Sequence, residues 1–339
     1  MRTEEPAMMR HFSRRRFICI AAAAAGLELV PLRSGARAQT HLVTWRGVVL
    51  GAVATMQVHH PDRAVAERLV KASIREVRRL ERIFSLYGDD SRLVALNRRG
   101  VLEAPPPELV ELLGESRRHA AVTGGAFDPT VQSLWALYAD HFSRPDADPG
   151  GPSARAIEAA LGKVGFAKVL VSPDRIAFLR QGMMLSLNGI AQGYITDRVV
   201  ALLRANGIDH SLVNMGESRA LGARSDEQPW QVGIADPDQP NRIGETIPIV
   251  DRAVATSGGY GFRFDAQGRF SHLFDPKTGL SPNLYRSVTV IAPNATAADA
   301  LSTAFSNMPP QDIEAALKII GDARVHLTTA RGERMMLDA

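Results

Sequence analysis

The 339-residue chain reads as an α+β fold, with mixed sheets flanked by helices. Three observations carry that reading. Short runs rich in β-branched residues alternate with helical runs at irregular intervals, whereas a doubly wound parallel sheet would show a regular βαβ beat. A long amphipathic helical pattern spans Asp62 to Phe84. No G-x-G-x-x-G opens a helix, and no G-x-x-x-x-G-K-[ST], H-E-x-x-H or G-x-S-x-G occurs. Dinucleotide-binding, P-loop, zincin and serine-hydrolase readings therefore lose their main support.

The first element is not part of the fold. Ser13-Arg14-Arg15-Arg16-Phe17-Ile18, a short alanine-rich apolar stretch and Ala36-Arg37-Ala38 follow the order of a twin-arginine export signal over residues 1–38, cleaved before Gln39. The apolar stretch is too short for a stable membrane anchor, and the expected location is the periplasm. Residues 1–38 carry seven Lys+Arg and three Asp+Glu, the whole of the net +4. Residues 39–339 are then near neutral, which argues against nucleic acid or an anionic membrane surface as partner. Cys19, the only cysteine, leaves with the signal, so the mature chain has no disulfide, thiolate nucleophile or cysteine metal site.

In the mature chain, Val65, Leu69, Val70, Ile74, Val77, Leu80, Ile83 and Phe84 recur at helical spacing. Further helices are expected over Glu108–Val122, ending at Gly124-Gly125, over Ile190–Ala205, over Ala297–Asn307, and after Pro310. Residues 143–153 read as a surface loop. Strands are expected at Lys168–Val171, Ser211–Val213, Gln231–Ile234, Ile247–Ala255, Ser287–Ala292 and Val325–Thr329.

Four turn segments could carry chemistry. Thr123-Gly-Gly-Ala-Phe-Asp128-Pro-Thr130 combines tight backbone approach with a carboxylate able to accept from a ligand, or is a Gly-Gly helix stop with an Asp-Pro turn. Ser186-Leu-Asn-Gly-Ile-Ala-Gln-Gly-Tyr-Ile-Thr-Asp197 runs into a helix whose N-terminus suits a phosphate. Its glycines equally permit close helix packing, with Ser186 or Asn188 as a cap. His272-Leu-Phe-Asp275-Pro-Lys-Thr-Gly279 is a type I turn preceded by a histidine that can accept a proton at neutral pH or be structural. Thr296-Ala-Ala-Asp299-Ala-Leu-Ser-Thr303 places Asp299 and Thr303 on one helix face, an oxygen pair suited to Mg²⁺, unless Thr296 and Asp299 form a capping box.

In order and spacing these segments resemble the ApbE family of FAD:protein FMN transferases. The likeness spans the mature chain and includes Trp45-Arg-Gly, Leu50-Gly51, Phe84-Ser-Leu-Tyr87, Ser91, Leu96-Asn97, Asn214-Met-Gly-Glu217 and Ala255-Thr-Ser-Gly258. It implies that FAD is bound by Leu50, Tyr87, Ala126, Phe127, Asp128, Leu273 and the positions of Ser186 and Gln192. It implies that Mg²⁺ is held by Asp299, Thr303 and the Gly189 carbonyl, Asp299 being the only carboxylate so assigned, with His272 as base. The chain departs from the family pattern at Ser186, Asn188 and Gln192, where Asp, Gly and Lys are usual. The implied partner is an acceptor flavoprotein with an exposed Thr or Ser. The Leu-Asn-Gly-Ile-Ala-Gln-Gly-Tyr version resembles the branch that includes NosX, which points to a membrane-bound, NosR-like acceptor of nitrous oxide respiration. An FAD pyrophosphatase and a non-catalytic FAD carrier are the alternatives.

Overall fold

Two alternating runs open the described part of the chain, residues 40–339 of a computed structural model. The export signal expected over residues 1–38 lies outside the described residues. β1 (His41–Val49) and β2 (Ala52–His60) form an antiparallel hairpin that was not among the expected strands. α1 (Arg63–Phe84) follows the apolar spacing read from the sequence, and Asp62 caps it by accepting the Ala64 and Val65 N–H groups at 2.7 and 3.2 Å. Its face of Val70, Val77, Leu80, Ile83 and Phe84 is buried in the main core.

A small helical region comes next: α2 (Arg92–Arg99), β3 (Val101–Glu103), α3 (Pro107–Val122), α4 (Gln132–Ser143) and α5 (Ala154–Leu161). β4 (Val169–Val171) and β5 (Arg175–Phe178) join β3 in a three-stranded sheet of order β3-β5-β4. The remaining elements are α6 (Ala191–Ala205), β6 (Ser211–Asn214), β7 (Ser218–Leu221), β8 (Trp230–Ala235), β9 (Ile243–Ile249), β10 (Ala253–Ser257), β11 (Tyr285–Ala292), α7 (Ala295–Phe305), α8 (Pro310–Ile320), β12 (Arg324–Thr329) and β13 (Arg334–Asp338).

The large sheet has the order β1-β2-β6-β7-β10-β11-β12-β13. Every strand pair among the described residues is antiparallel. Because side chains alternate across a strand, the sheet buries two different faces. Val213, Leu221, Ala253, Ala255, Val290 and Ala292 face the main core under α1, α6 and α7. Leu212, Ala220, Val254 and Ile291 face the β8–β9 hairpin and pack with Trp230, Val232, Ile234, Ile247 and Ile249. The fold is thus α+β, with one face of the sheet covered by helices and part of the other by a hairpin.

One expected strand is wrong in a definite way. Ile247–Ala255 is not a single strand: β9 ends at Ile249, Asp251 takes φ 48°, and β10 begins at Ala253. The Asp251 carboxylate accepts the Gly222 N–H at 2.9 Å, which pins the turn and lets β9 leave the large sheet to pair with β8.

Candidate active site

The site is set by how closely two helices meet. A side-chain carbon built on Gly193 of α6 would lie 2.2 Å from the Ala295 carbonyl oxygen at the start of α7, so only glycine allows this approach. The two helix N-termini then exchange carboxylates. Asp197 of α6 accepts the Ala295 and Thr296 N–H groups of α7 at 2.9 and 2.8 Å, together with the Thr296 hydroxyl and Arg219. Asp299 of α7 accepts the Gly193 N–H of α6 at 3.0 Å. The capping box considered for Thr296 and Asp299 does not form, because Asn294 caps α7 by accepting the Ala297 N–H at 2.8 Å. Neither Ser186 nor Asn188 caps α6; Ile190 occupies that position without a side-chain bond.

One turn beyond Asp299, Thr303 meets the loop before α6. A side-chain carbon on Gly189 would lie 2.8 Å from the Thr303 Oγ1, and Ser257 Oγ is 2.8 Å from Ser302 Oγ and 3.5 Å from Thr303 Oγ1. Gly189, Asp299 and Thr303 therefore converge on the wall of a cleft of about 2060 Å³, which His272 also lines. That volume exceeds the roughly 300–1,000 Å³ of an ordinary small-ligand pocket and has room for an extended dinucleotide.

Asp299 is only 4 % exposed, and burial pushes its carboxyl up to about 8; the Gly193 N–H opposes that shift and the negative charge of Asp197 adds to it. Glu217, from the turn between β6 and β7, lines the same cleft and is 5 % exposed. Burial first, then the charge of Asp299, holds its carboxyl well above the usual range, against one hydrogen bond from the Thr256 backbone. The donors here are carboxylate, hydroxyl and backbone carbonyl oxygens. Among the described residues no three His, Cys, Asp or Glu side chains gather at one point. Such a set suits a hard cation that keeps much of its water shell, and not a nitrogen- and sulfur-seeking one.

His272 lies in the long connection between β10 and β11. Its Nδ1 is 3.3 Å from the Phe262 carbonyl oxygen, which also receives the His272 N–H at 3.2 Å. A carbonyl only accepts, so the neutral ring carries its proton on Nδ1 and leaves Nε2 as a proton acceptor. Burial lowers its pKa, with the Phe262 contact in opposition, so the ring is neutral at neutral pH. Asn307, just past α7, donates to the Phe274 and Ala126 carbonyls at 3.2 and 3.5 Å and so ties two cleft walls to the helix that carries Asp299.

The model of the ApbE family matches residues 50–325. The chain belongs to the ApbE family. The FAD:protein FMN transferase of Treponema pallidum is 32% identical over 299 residues, 80% of this chain and 80% of that protein. The enzyme of the same name from Klebsiella pneumoniae is 29% identical over 85% of this chain and 84% of its own length. Among solved structures, the ApbE protein of Thermotoga maritima superposes with a TM-score of 0.75 at 28% identity, covering 88% of this chain and 97% of that one.

The residues expected to bind FAD by likeness to ApbE proteins divide on the structure. Tyr87, Ala126, Phe127, Asp128, Ser186, Gln192 and Leu273 all line the cleft. Leu50 does not. It sits at φ 47° in the β1–β2 turn, donates its N–H to Glu81 Oε1 at 2.9 Å and packs partly buried against the main core. Asp128 is largely engaged: it accepts from the Thr130 N–H and hydroxyl at 2.8 and 2.6 Å and from the Phe166 N–H at 2.9 Å. With about four lone-pair positions on a carboxylate, one remains for a ligand. The turn reading of that segment is therefore correct whatever else it does.

Glu217 was missed as a site residue. The sequence shows it only as the end of Asn214-Met-Gly-Glu217, and an acidic residue in a hairpin turn looks like a solvated one. Its burial comes from tertiary packing: Gly216 takes φ 116°, and the Gln192 amide fills the space where a side chain at 216 would stand, 2.5 Å from it.

Proposed function

We propose that this ApbE-family chain is an FAD:protein FMN transferase that works in the periplasm and attaches FMN to a threonine or serine of an acceptor flavoprotein, releasing AMP. One observation carries the reading. Gly189, Asp299, Thr303 and His272 line one cleft, and the neutral histidine there has an Nε2 that can accept a proton.

In the reaction, the acceptor hydroxyl oxygen forms a bond to the FMN-side phosphorus of the FAD pyrophosphate. The bond from that phosphorus to the bridging oxygen breaks, and AMP leaves with the electron pair. His272 Nε2 takes the hydroxyl proton. Gly189, Asp299 and Thr303 would hold Mg²⁺, which when bound supplies neutralisation of charge on the pyrophosphate oxygens. Leu273, Phe127 and Tyr87 offer apolar and aromatic surface against which an isoalloxazine or adenine ring can lie. The export signal and the NosX likeness support a membrane-bound, NosR-like acceptor on the same side of the membrane.

A carrier that binds FAD without turnover is the second reading, favoured by one feature: Ser186, Asn188 and Gln192 give this cleft a neutral set where the family pattern has Asp, Gly and Lys. The mature protein, incubated with FAD and Mg²⁺ with and without an acceptor domain bearing an exposed threonine, separates the readings. Release of AMP matched by covalent flavin on the acceptor supports the transferase. Equal AMP release without acceptor indicates a pyrophosphatase, and FAD binding without AMP indicates the carrier.

A further inference from the structure

We infer that Glu217 is a second anionic ligand of the divalent-cation site whose first is Asp299, so that the cation is held between the β6–β7 turn and α7. The inference rests on the reading of the cleft as a cation-dependent transfer site and adds to it a residue outside the set expected there.

The two carboxylates are 5 % and 4 % exposed and line one cleft. Among the described residues neither makes an ion pair. The one bond to each is a backbone N–H, from Thr256 to Glu217 and from Gly193 to Asp299. The nearest arginine in sequence, Arg219, is engaged by Asp197. Gln192, which packs over Gly216 beside Glu217, is neutral. Two buried like charges facing one cavity need a counter-charge from outside the protein, or must hold a proton between them. The neighbouring groups decide for a cation: the Thr303 hydroxyl and Ser257 hydroxyl lie within 3.5 Å of each other, and Gly189 brings its backbone against Thr303. These are acceptor oxygens on the same wall, the donor set of a hard divalent ion. Gly216 at φ 116° and the Gln192 amide packed against it shape the turn that presents Glu217 to the cleft.

The alternative, a shared proton, makes the opposite prediction for one substitution. Glu217→Gln has the shape of the protonated acid and removes only the charge. Mn²⁺ binding to the mature protein, followed by electron paramagnetic resonance, is expected to weaken by at least about tenfold in Glu217→Gln, and the cation-induced rise in Tm is expected to shrink with it. FAD binding in EDTA, read by flavin fluorescence, is expected to stay as in the wild type and so to report an intact cleft. Glu217→Asp, which keeps the charge, is expected to bind Mn²⁺ more tightly than Glu217→Gln. Wild-type Mn²⁺ affinity in Glu217→Gln, or the reverse ranking of Asp and Gln, overturns the inference and leaves the transferase reading standing. A wild-type protein that binds no Mn²⁺ overturns the cation site as a whole.

Discussion

Asp299 sits where burial drives its carboxyl toward neutrality, and it gives up one oxygen to the N-terminus of a neighbouring helix. Asp299→Asn retains an acceptor for the Gly193 N–H and loses the charge. It is expected to abolish Mg²⁺-dependent AMP release while leaving Tm in EDTA unchanged or higher; full activity in this variant would remove Asp299 from the cation site. Thr303→Ala is expected to do less harm, since water can replace a neutral ligand in a mostly hydrated shell. His272→Ala is expected to keep FAD affinity and to lose transfer by about 10²–10⁴-fold. Burial lowers the pKa of His272, the proposed base, below the ordinary histidine value. With Mg²⁺ saturating, so that the Asp299 carboxylate is held ionised, the acid limb of the wild-type rate should be centred below 6.5, and one centred above 6.5 under those conditions would count against this role. That Asp299 and Thr303 share one face of a helix was legible in the sequence from their i, i+4 spacing. Glu217 was not, because nothing local distinguishes a buried turn glutamate from a solvated one.

At the scale of elements, the exchange of carboxylates between the first turns of α6 and α7 positions the proposed cation ligands. Gly193→Ala would force a methyl into the Ala295 carbonyl, and overpacking of this kind costs about 1–3 kcal/mol or more. Urea unfolding should show that loss together with weakened cation binding, whereas an unchanged midpoint would mean that the helices can part freely. Asp197→Ala leaves the Asn294 cap but takes the acceptor from the Ala295 and Thr296 N–H groups at the start of α7 and strands Arg219, a loss of about 1–2 kcal/mol. α1, α3, α6, α7 and α8 were readable from apolar spacing and from the Pro and Gly that bound them. β1 and β2 were not: the pattern of His41–Val49 is half exposed, and Ala52–His60 buries small or polar-flanked residues that carry a weak signal. β9 and β10 merged in the sequence because their break is an aspartate at positive φ, with no Gly, Pro or Asn to mark it.

For the whole molecule, several histidines are held neutral by burial. That of His119, packed edge-on against Phe127, is pushed down to about 4, mainly by desolvation and then by Arg118, and that of His59 is lowered by burial and by His210. The unfolded chain binds protons at these positions below about pH 6.5 more readily than the folded chain, so the contribution of these histidines to stability falls as pH drops from 6.5 towards 4. The raised carboxyls of Asp299 and Glu217 act in the opposite direction over the same range, so the difference is the test: the Tm of the wild type relative to His119→Phe should decline from pH 6.5 towards 4, and a difference that does not change with pH would contradict the His119 assignment. The fold class could be read before the topology because irregular alternation excludes a doubly wound sheet, while strand order depends on contacts far apart in sequence. The segments of the cleft were legible only in combination, since each of the four turns has a sufficient local explanation of its own.

Transfer of FMN to a protein hydroxyl is tested most directly by peptide mass spectrometry of an acceptor domain. After incubation of the mature protein with FAD, Mg²⁺ and the acceptor, an FMN phosphodiester should be found on one threonine or serine with the wild type and be lost with His272→Ala. AMP release with no modified acceptor peptide would contradict FMN transfer, and an adduct formed equally by His272→Ala would contradict His272 as its base.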